Sequence, residues 1–122
     1  MKLHLTQNTT QNLFTACGEG YVMVNGKRFE SSLIVLPDRV IENWPPRRFD
    51  ELSEEIFAEL AAIAPEIVLL GTGPTLRFPH PRLSRTLLEN RIGLEIMDSY
   101  AAARTYNILM AEGRRVAAAL IL

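Results

Sequence analysis

The sequence predicts an α/β fold: a single three-layer domain in which a mixed β-sheet is packed by helices and preceded by an N-terminal β-hairpin region. Three observations predict it. Apolar runs without alternation, Ile67-Val68-Leu69-Leu70 and residues 116–122, are far too short to span a membrane and read as strands covered on both faces. Ahead of the first run Leu52, Ile56, Leu60 and Ile63 recur at helical spacing. Asn25-Gly26, which accepts positive φ at both central positions of a tight turn, separates two strand-like stretches.

The 122 residues suffice for one hydrophobic core, so residues 1–122 are read as one domain. Hydrophobic residues at 48% and charged residues at 22% are a globular balance. With 13 basic against 14 acidic side chains, no net field would hold the chain on phosphates or on an anionic bilayer. Aromatic residues, at 7%, are too few for a base-stacking surface, so neither nucleic acid nor membrane insertion is expected. A lone cysteine, Cys17, excludes an internal disulfide and reads as a packed strand residue in a reducing compartment. The first residues carry neither the apolar core of a signal peptide nor the arginines of a transit peptide. The expected location is cytoplasmic, or the mitochondrial matrix for a processed eukaryotic chain.

In chain order, residues 1–12 are polar and weakly patterned, an ordered edge or a loose arm. Tyr21-Val22-Met23-Val24 and Lys27-Arg28-Phe29-Glu30 form the hairpin, and after Ser31-Ser32 the run Leu33-Ile34-Val35-Leu36 is a buried strand. Val40-Ile41 is a short strand, and Trp44-Pro45-Pro46 excludes regular structure. Asp50 is placed as a helix N-cap, with Glu51, Glu54 and Glu55 at the end where the backbone dipole favours them, and Pro65 terminates the helix. Pro81 suits the first turn of a second helix packed through Leu83, Leu87, Leu88 and Ile92 and closed by Gly93. Leu94-Glu95-Ile96-Met97 is the next strand. Asp98 caps a last helix whose packing face reads as Ala101, Ala102, Thr105, Ile108 and Leu109, with Gly113 at its C-terminal end.

The polar exceptions gather between residues 71 and 107. Gly71-Thr72-Gly73-Pro74, at the end of a central strand, would let a ligand approach the backbone and offer amides to an anion. The dinucleotide fingerprint fails, because Leu76 holds the third glycine position and a proline-marked loop follows. No cofactor is implied. Arg77 is the cation beside the turn, and Phe78 is expected to pin the loop to the core. His80 has no second His or Cys at ligand spacing, so no metal is assigned. Glu95 is the one plausible acid or base, without a nucleophile beside it, so no catalytic residue is assigned. Tyr100, Arg104 and Asn107 stand on one helix face, a polar row expected to hydrogen-bond inward, which makes Arg104 a residue whose loss should cost stability. The binding residues proposed on sequence are therefore Gly71, Thr72, Gly73, Arg77, Glu95, Asp98, Tyr100, Arg104 and Asn107.

Gly71-Thr72-Gly73 after an apolar strand, Pro79, and Glu95-Ile96-Met97-Asp98-Ser99 running into Ala101-Ala102 and Arg104-Thr105-Tyr106-Asn107 carry a resemblance. Arg114 and the alanine-rich last strand continue it. The chain resembles a small uncharacterised α/β domain family whose eukaryotic members include the mitochondrial respiratory complex I assembly factor 3. The resemblance covers residues 14–122 and implies a three-layer fold on a mixed sheet and a role in assembling a membrane-bound respiratory complex. Two functions follow. One is a non-catalytic module binding a protein partner through Trp44-Pro45-Pro46-Arg47-Arg48 and residues 77–81. The other is a small anionic-ligand site, or an enzyme's site, at the Gly71–Gly73 turn and the start of the Asp98 helix.

Overall fold

The computed structural model describes residues 11–122. Most of the expected N-terminal arm, residues 1–10, lies outside the described residues. Its last residue is tied down, with the Asn12 amide donating to the Pro37 carbonyl at 2.9 Å and its carboxamide to Leu36 O at 2.7 Å.

Strands β1 (Phe14–Gly18), β2 (Tyr21–Val24) and β3 (Lys27–Phe29) form a three-stranded antiparallel sheet in that order. Asn25 and Gly26 connect β2 to β3 at φ 52° and 84°, the paired positive values the hairpin turn requires. Strands β4 (Leu33–Leu36), β5 (Arg39–Ile41), β6 (Ile67–Thr72), β7 (Gly93–Met97) and β8 (Val116–Ile121) form a second sheet, ordered β5-β4-β8-β6-β7. It is mixed: β6 runs parallel to β7 and β8, while β4 runs antiparallel to β5 and β8. As the apolar runs predict, β8 and β6 are interior and β8 is wholly buried. The third predicted strand, β7, is an edge, half-covered, with Glu95 on its exposed side.

Period-two alternation sends each interior strand into two cores. On one face Val68, Leu70, Ala117, Ala119 and Ile121 meet Ile56, Phe57 and Leu60 of helix α1 (Glu54–Ile63), with Leu87 of the short helix α2 (Arg85–Glu89). On the other, Leu69, Val116, Ala118 and Leu120 meet Ala102, Ala103, Tyr106 and Met110 of helix α3 (Ser99–Ala111) and Phe14, Val22 and Val24 of the small sheet. The three consecutive alanines of β8 keep both layers close to the sheet.

Several local expectations are corrected. Asp50 does not cap α1: it lies in a 3-10 turn, Phe49–Glu51, and Ser53 caps the helix by accepting from the Ile56 amide at 3.2 Å. The second helix starts as a 3-10 turn at Pro81–Ser84 and ends before Gly93, with Arg91 taking the left-handed position at φ 59°, so Gly93 opens β7 instead. Leu88 is 78% exposed: neighbouring helix positions point about 100° apart, and it is Leu87 that faces the core. The buried face of α3 is turned from the expected one, to Ser99, Ala102, Ala103, Tyr106 and Met110, leaving Ile108 exposed. Tyr106 fixes that rotation. Its ring meets Phe14 edge-on with centroids 5.2 Å apart, and its hydroxyl donates to Asn12 O at 2.9 Å.

Candidate functional site

At the carboxyl ends of β6 and β8 the chain bends sharply, and the bend is knotted to the start of α3. The Ser99 amide donates to Gly73 O, the Gly73 amide donates back to Ser99 Oγ, both at 2.9 Å, and Ser99 Oγ donates to Ile121 O at 2.5 Å. One buried hydroxyl thus joins β6, β8 and α3. A Cβ on Gly71 would lie 2.9 Å from Ser99 Cα and 2.7 Å from Leu120 Cδ2, closer than packed atoms stand, so glycine is what allows the helix to sit on the strand. Gly73 itself turns at φ 99°. Asp98 caps α3 as its position predicts, accepting from the Tyr100 and Ala101 amides at 3.0 and 2.9 Å.

Beyond the bend, Thr72 Oγ1 donates to Thr75 O at 2.8 Å and accepts from the Arg77 amide at 3.1 Å, shaping the loop from within. Arg77 stacks 4.2 Å over the Phe49 ring and pairs with Asp50 at 3.2 Å. Phe78 does not pin the loop: it is 70% exposed, and the buried Pro79 does that work. Trp44 is the reverse case, 4% exposed within the first core, so it offers no aromatic anchor to a partner. His80 accepts from the Arg82 amide through Nδ1 at 3.1 Å, capping the 3-10 turn.

The sequence-predicted residues divide into three groups. Gly71, Thr72, Gly73 and Asp98 meet at the knot, with Arg77 on its outer rim, beside a hollow of about 280 Å³ that also borders Arg47–Asp50 and Ile121. Tyr100 and Arg104 share a second, wider hollow of about 440 Å³ with Cys17–Glu19 and Pro74. Pro74 divides the two. Asn107 serves the fold: its carboxamide accepts from the Phe14 amide at 2.9 Å and donates to Phe14 O at 2.8 Å, closing the open edge of β1 as a neighbouring strand would. Glu95 stands apart on the β7 edge. Arg104 is exposed and makes no hydrogen bond or ion pair among the described residues, which corrects the expectation of an inward bond. Sequence reasoning missed Ser99, although its place directly after a capping Asp and opposite a glycine strand end is a usable signal.

Burial, and then the negative charge of Asp38, raises the Tyr106 phenol above the usual tyrosine range, so it remains a hydrogen-bond donor at any physiological pH. No helix among the described residues is long and apolar enough to cross a membrane.

A family model described as "Protein of unknown function (DUF498/DUF598)" matches residues 14–121. A bovine (Bos taurus) protein named NADH dehydrogenase [ubiquinone] 1 alpha subcomplex assembly factor 3 is 35% identical over 104 residues, which is 84% of this chain and 55% of the relative. The chain thus spans about half the length of that relative. Among solved structures, a crystal structure of a Bordetella parapertussis protein superposes with a TM-score of 0.86 at 42% identity, covering 92% of this chain and 96% of the other. A solution structure from Bordetella pertussis, described as a Mth938-like domain, gives a TM-score of 0.84 at 37% identity, covering 99% and 92%.

Proposed function

The chain belongs to the DUF498/DUF598 family of proteins of unknown function, and from that premise we propose that it is a non-catalytic protein-interaction module serving the assembly of a membrane-bound respiratory complex. The kinship with proteins named as NADH dehydrogenase assembly factors supports the process. One structural observation carries the mode of action: the loop after the glycine bend holds Phe78 at 70% and Leu76 at 47% exposure on a stiff backbone. Buried Pro79, the His80 cap and the Arg77–Phe49 stack fix that loop before any partner arrives, so little chain entropy is lost on docking. An exposed aromatic flanked by arginines, here Arg77 with Arg47 and Arg48 beyond it, is the composition that dominates protein contacts. The lone Cys17 supports action in a reducing compartment, the cytoplasm.

The other reading, a small anion at the Gly71–Gly73 turn and the start of the Asp98 helix, draws less support. The Gly73 amide is used by Ser99, the first amides of α3 by Asp98, and the Arg77 guanidinium by Asp50.

Affinity purification from native cells, comparing the wild type with Phe78→Asp, tests the proposal. The wild type is expected to retain a respiratory-complex subunit or a fellow assembly protein that Phe78→Asp loses. Recovery of the wild type alone, or of the same partner with both, refutes it.

A further inference from the structure

The edges of the two sheets are not finished alike. β1 is closed by Asn107, and β3 and β5 are each three residues long, with Lys27, Arg28 and Arg39 exposed on them. Short, positively charged edges resist pairing with another chain. β7 is different: it is five residues long, carries no lysine or arginine, and is bordered by β6 alone. The Gly93 amide donates to Glu66 O at 3.1 Å, so alternation turns the N–H and C=O groups of Gly93, Glu95 and Met97 toward β6 and those of Leu94 and Ile96 away from it. Among the described residues nothing bonds to the amides or carbonyls of Leu94 and Ile96. Two donors and two acceptors are left in the plane of the sheet, at the spacing of a β-ladder.

The side chains decide what fits beside them. Leu94 and Ile96 form the half-buried fringe of the first core, while Glu95 stands exposed on the opposite face, with no ion pair or hydrogen bond among the described residues. A second copy of this chain is a poor match. In the one antiparallel register that pairs all five residues of β7 with a second β7, each Glu95 lies directly opposite its counterpart, on the same face and about 4.5 Å apart at Cα. Like charges placed so are destabilising, whereas a basic residue there is attracted.

We propose that the β7 edge takes up an extended segment of another protein as an added strand, with a lysine or arginine across from Glu95 and an apolar residue on either side of it against Leu94 and Ile96, and that Glu95 keeps a second copy off the same edge. Main-chain bonds to Leu94 and Ile96 supply the attachment, and the side-chain pattern supplies the selection. The site draws on none of the residues of the Phe78 loop, and it stands or falls separately from the role in complex assembly.

The probe is a synthetic peptide, acetylated and amidated Thr-Thr-Val-Lys-Val-Thr-Thr, titrated into the isotope-labelled full chain. The Leu94 and Ile96 amides are expected to shift to saturation and to exchange their hydrogens more slowly, while the Glu95 amide between them, already turned to β6, changes little; that alternation is the signature of an added strand. Replacing the peptide's lysine by glutamate should weaken binding roughly tenfold. Glu95→Lys should reverse the preference, and Phe78→Asp should bind the lysine peptide as the wild type does. Glu95→Val should self-associate more strongly than the wild type in sedimentation equilibrium. The proposal is overturned if Leu94 and Ile96 show no saturable response, if Glu95→Lys keeps the wild-type preference, if Phe78→Asp abolishes binding, or if Glu95→Val associates no more than the wild type.

Discussion

The bend at residues 71–73 and the loop that follows it differ sharply in what their polar and apolar groups do. In the bend, every polar group named above is spent internally: the Ser99 hydroxyl satisfies the Gly73 amide and the Ile121 carbonyl at once, and the missing Cβ of Gly71 is filled by the helix. In the loop, Leu76 and Phe78 face outward while Pro79 alone is buried. A glycine turn at the end of a central strand is readily taken for a ligand cradle. Here its glycines explain how a helix reaches a strand, and the groups left available to another molecule lie farther along.

That contrast is most directly broken at Gly71. Gly71→Ala places a methyl against the Ser99 backbone, which cannot move aside as a side-chain end could, and is expected to lower unfolding stability by about 3 kcal/mol in urea denaturation. A loss under about 1 kcal/mol would mean that α3 is free to shift. Ser99→Ala keeps the space but strands a buried amide and a buried carbonyl, with an expected loss of about 2 kcal/mol. Neutral behaviour would show that the knot is not a source of stability.

Tyr106 sharpens the comparison by adding pH. Tyr106→Phe should cost about 1 kcal/mol at neutral pH through the lost bond to Asn12. Because its folded-state pKa is raised above the unfolded value of 10.0, the phenol's contribution is complete below that pH and falls as pH rises beyond it. The wild type is therefore expected to lose stability above about pH 10 more steeply than Tyr106→Phe, and parallel curves would contradict the buried phenol. At the other extreme, Phe78→Asp and Arg104→Ala should change stability by no more than about 0.5 kcal/mol, since neither side chain is buried. A larger loss at Arg104 would restore the inward bond that its spacing on α3 first implied.

How much was legible can be argued residue by residue. The hairpin turn, the buried strands at residues 67 and 116, and the Asp98 cap were readable, because each is decided by groups within a few positions of one another. The Ser53 cap was hidden by the nearer-looking Asp50, whose carboxylate is drawn off by Arg77, 27 residues away in sequence. Trp44 and Phe78 were assigned to the wrong sides of the surface. Both lie in proline-marked loops, where no hydrophobic period tells inside from outside.

By itself the sequence determined the α/β class, the two-faced central strands and the places where the chain turns, since backbone preference and the alternation of apolar residues are local properties. Only the tertiary structure decided which face of α3 is buried, why residue 71 is glycine and that Trp44 belongs to the core. Those outcomes depend on partners far along the chain: Asn107 reaches Phe14 across 93 positions, and Tyr106 reaches Asn12 across 94. No pattern of neighbouring residues encodes a contact that exists only once the distant strand has arrived.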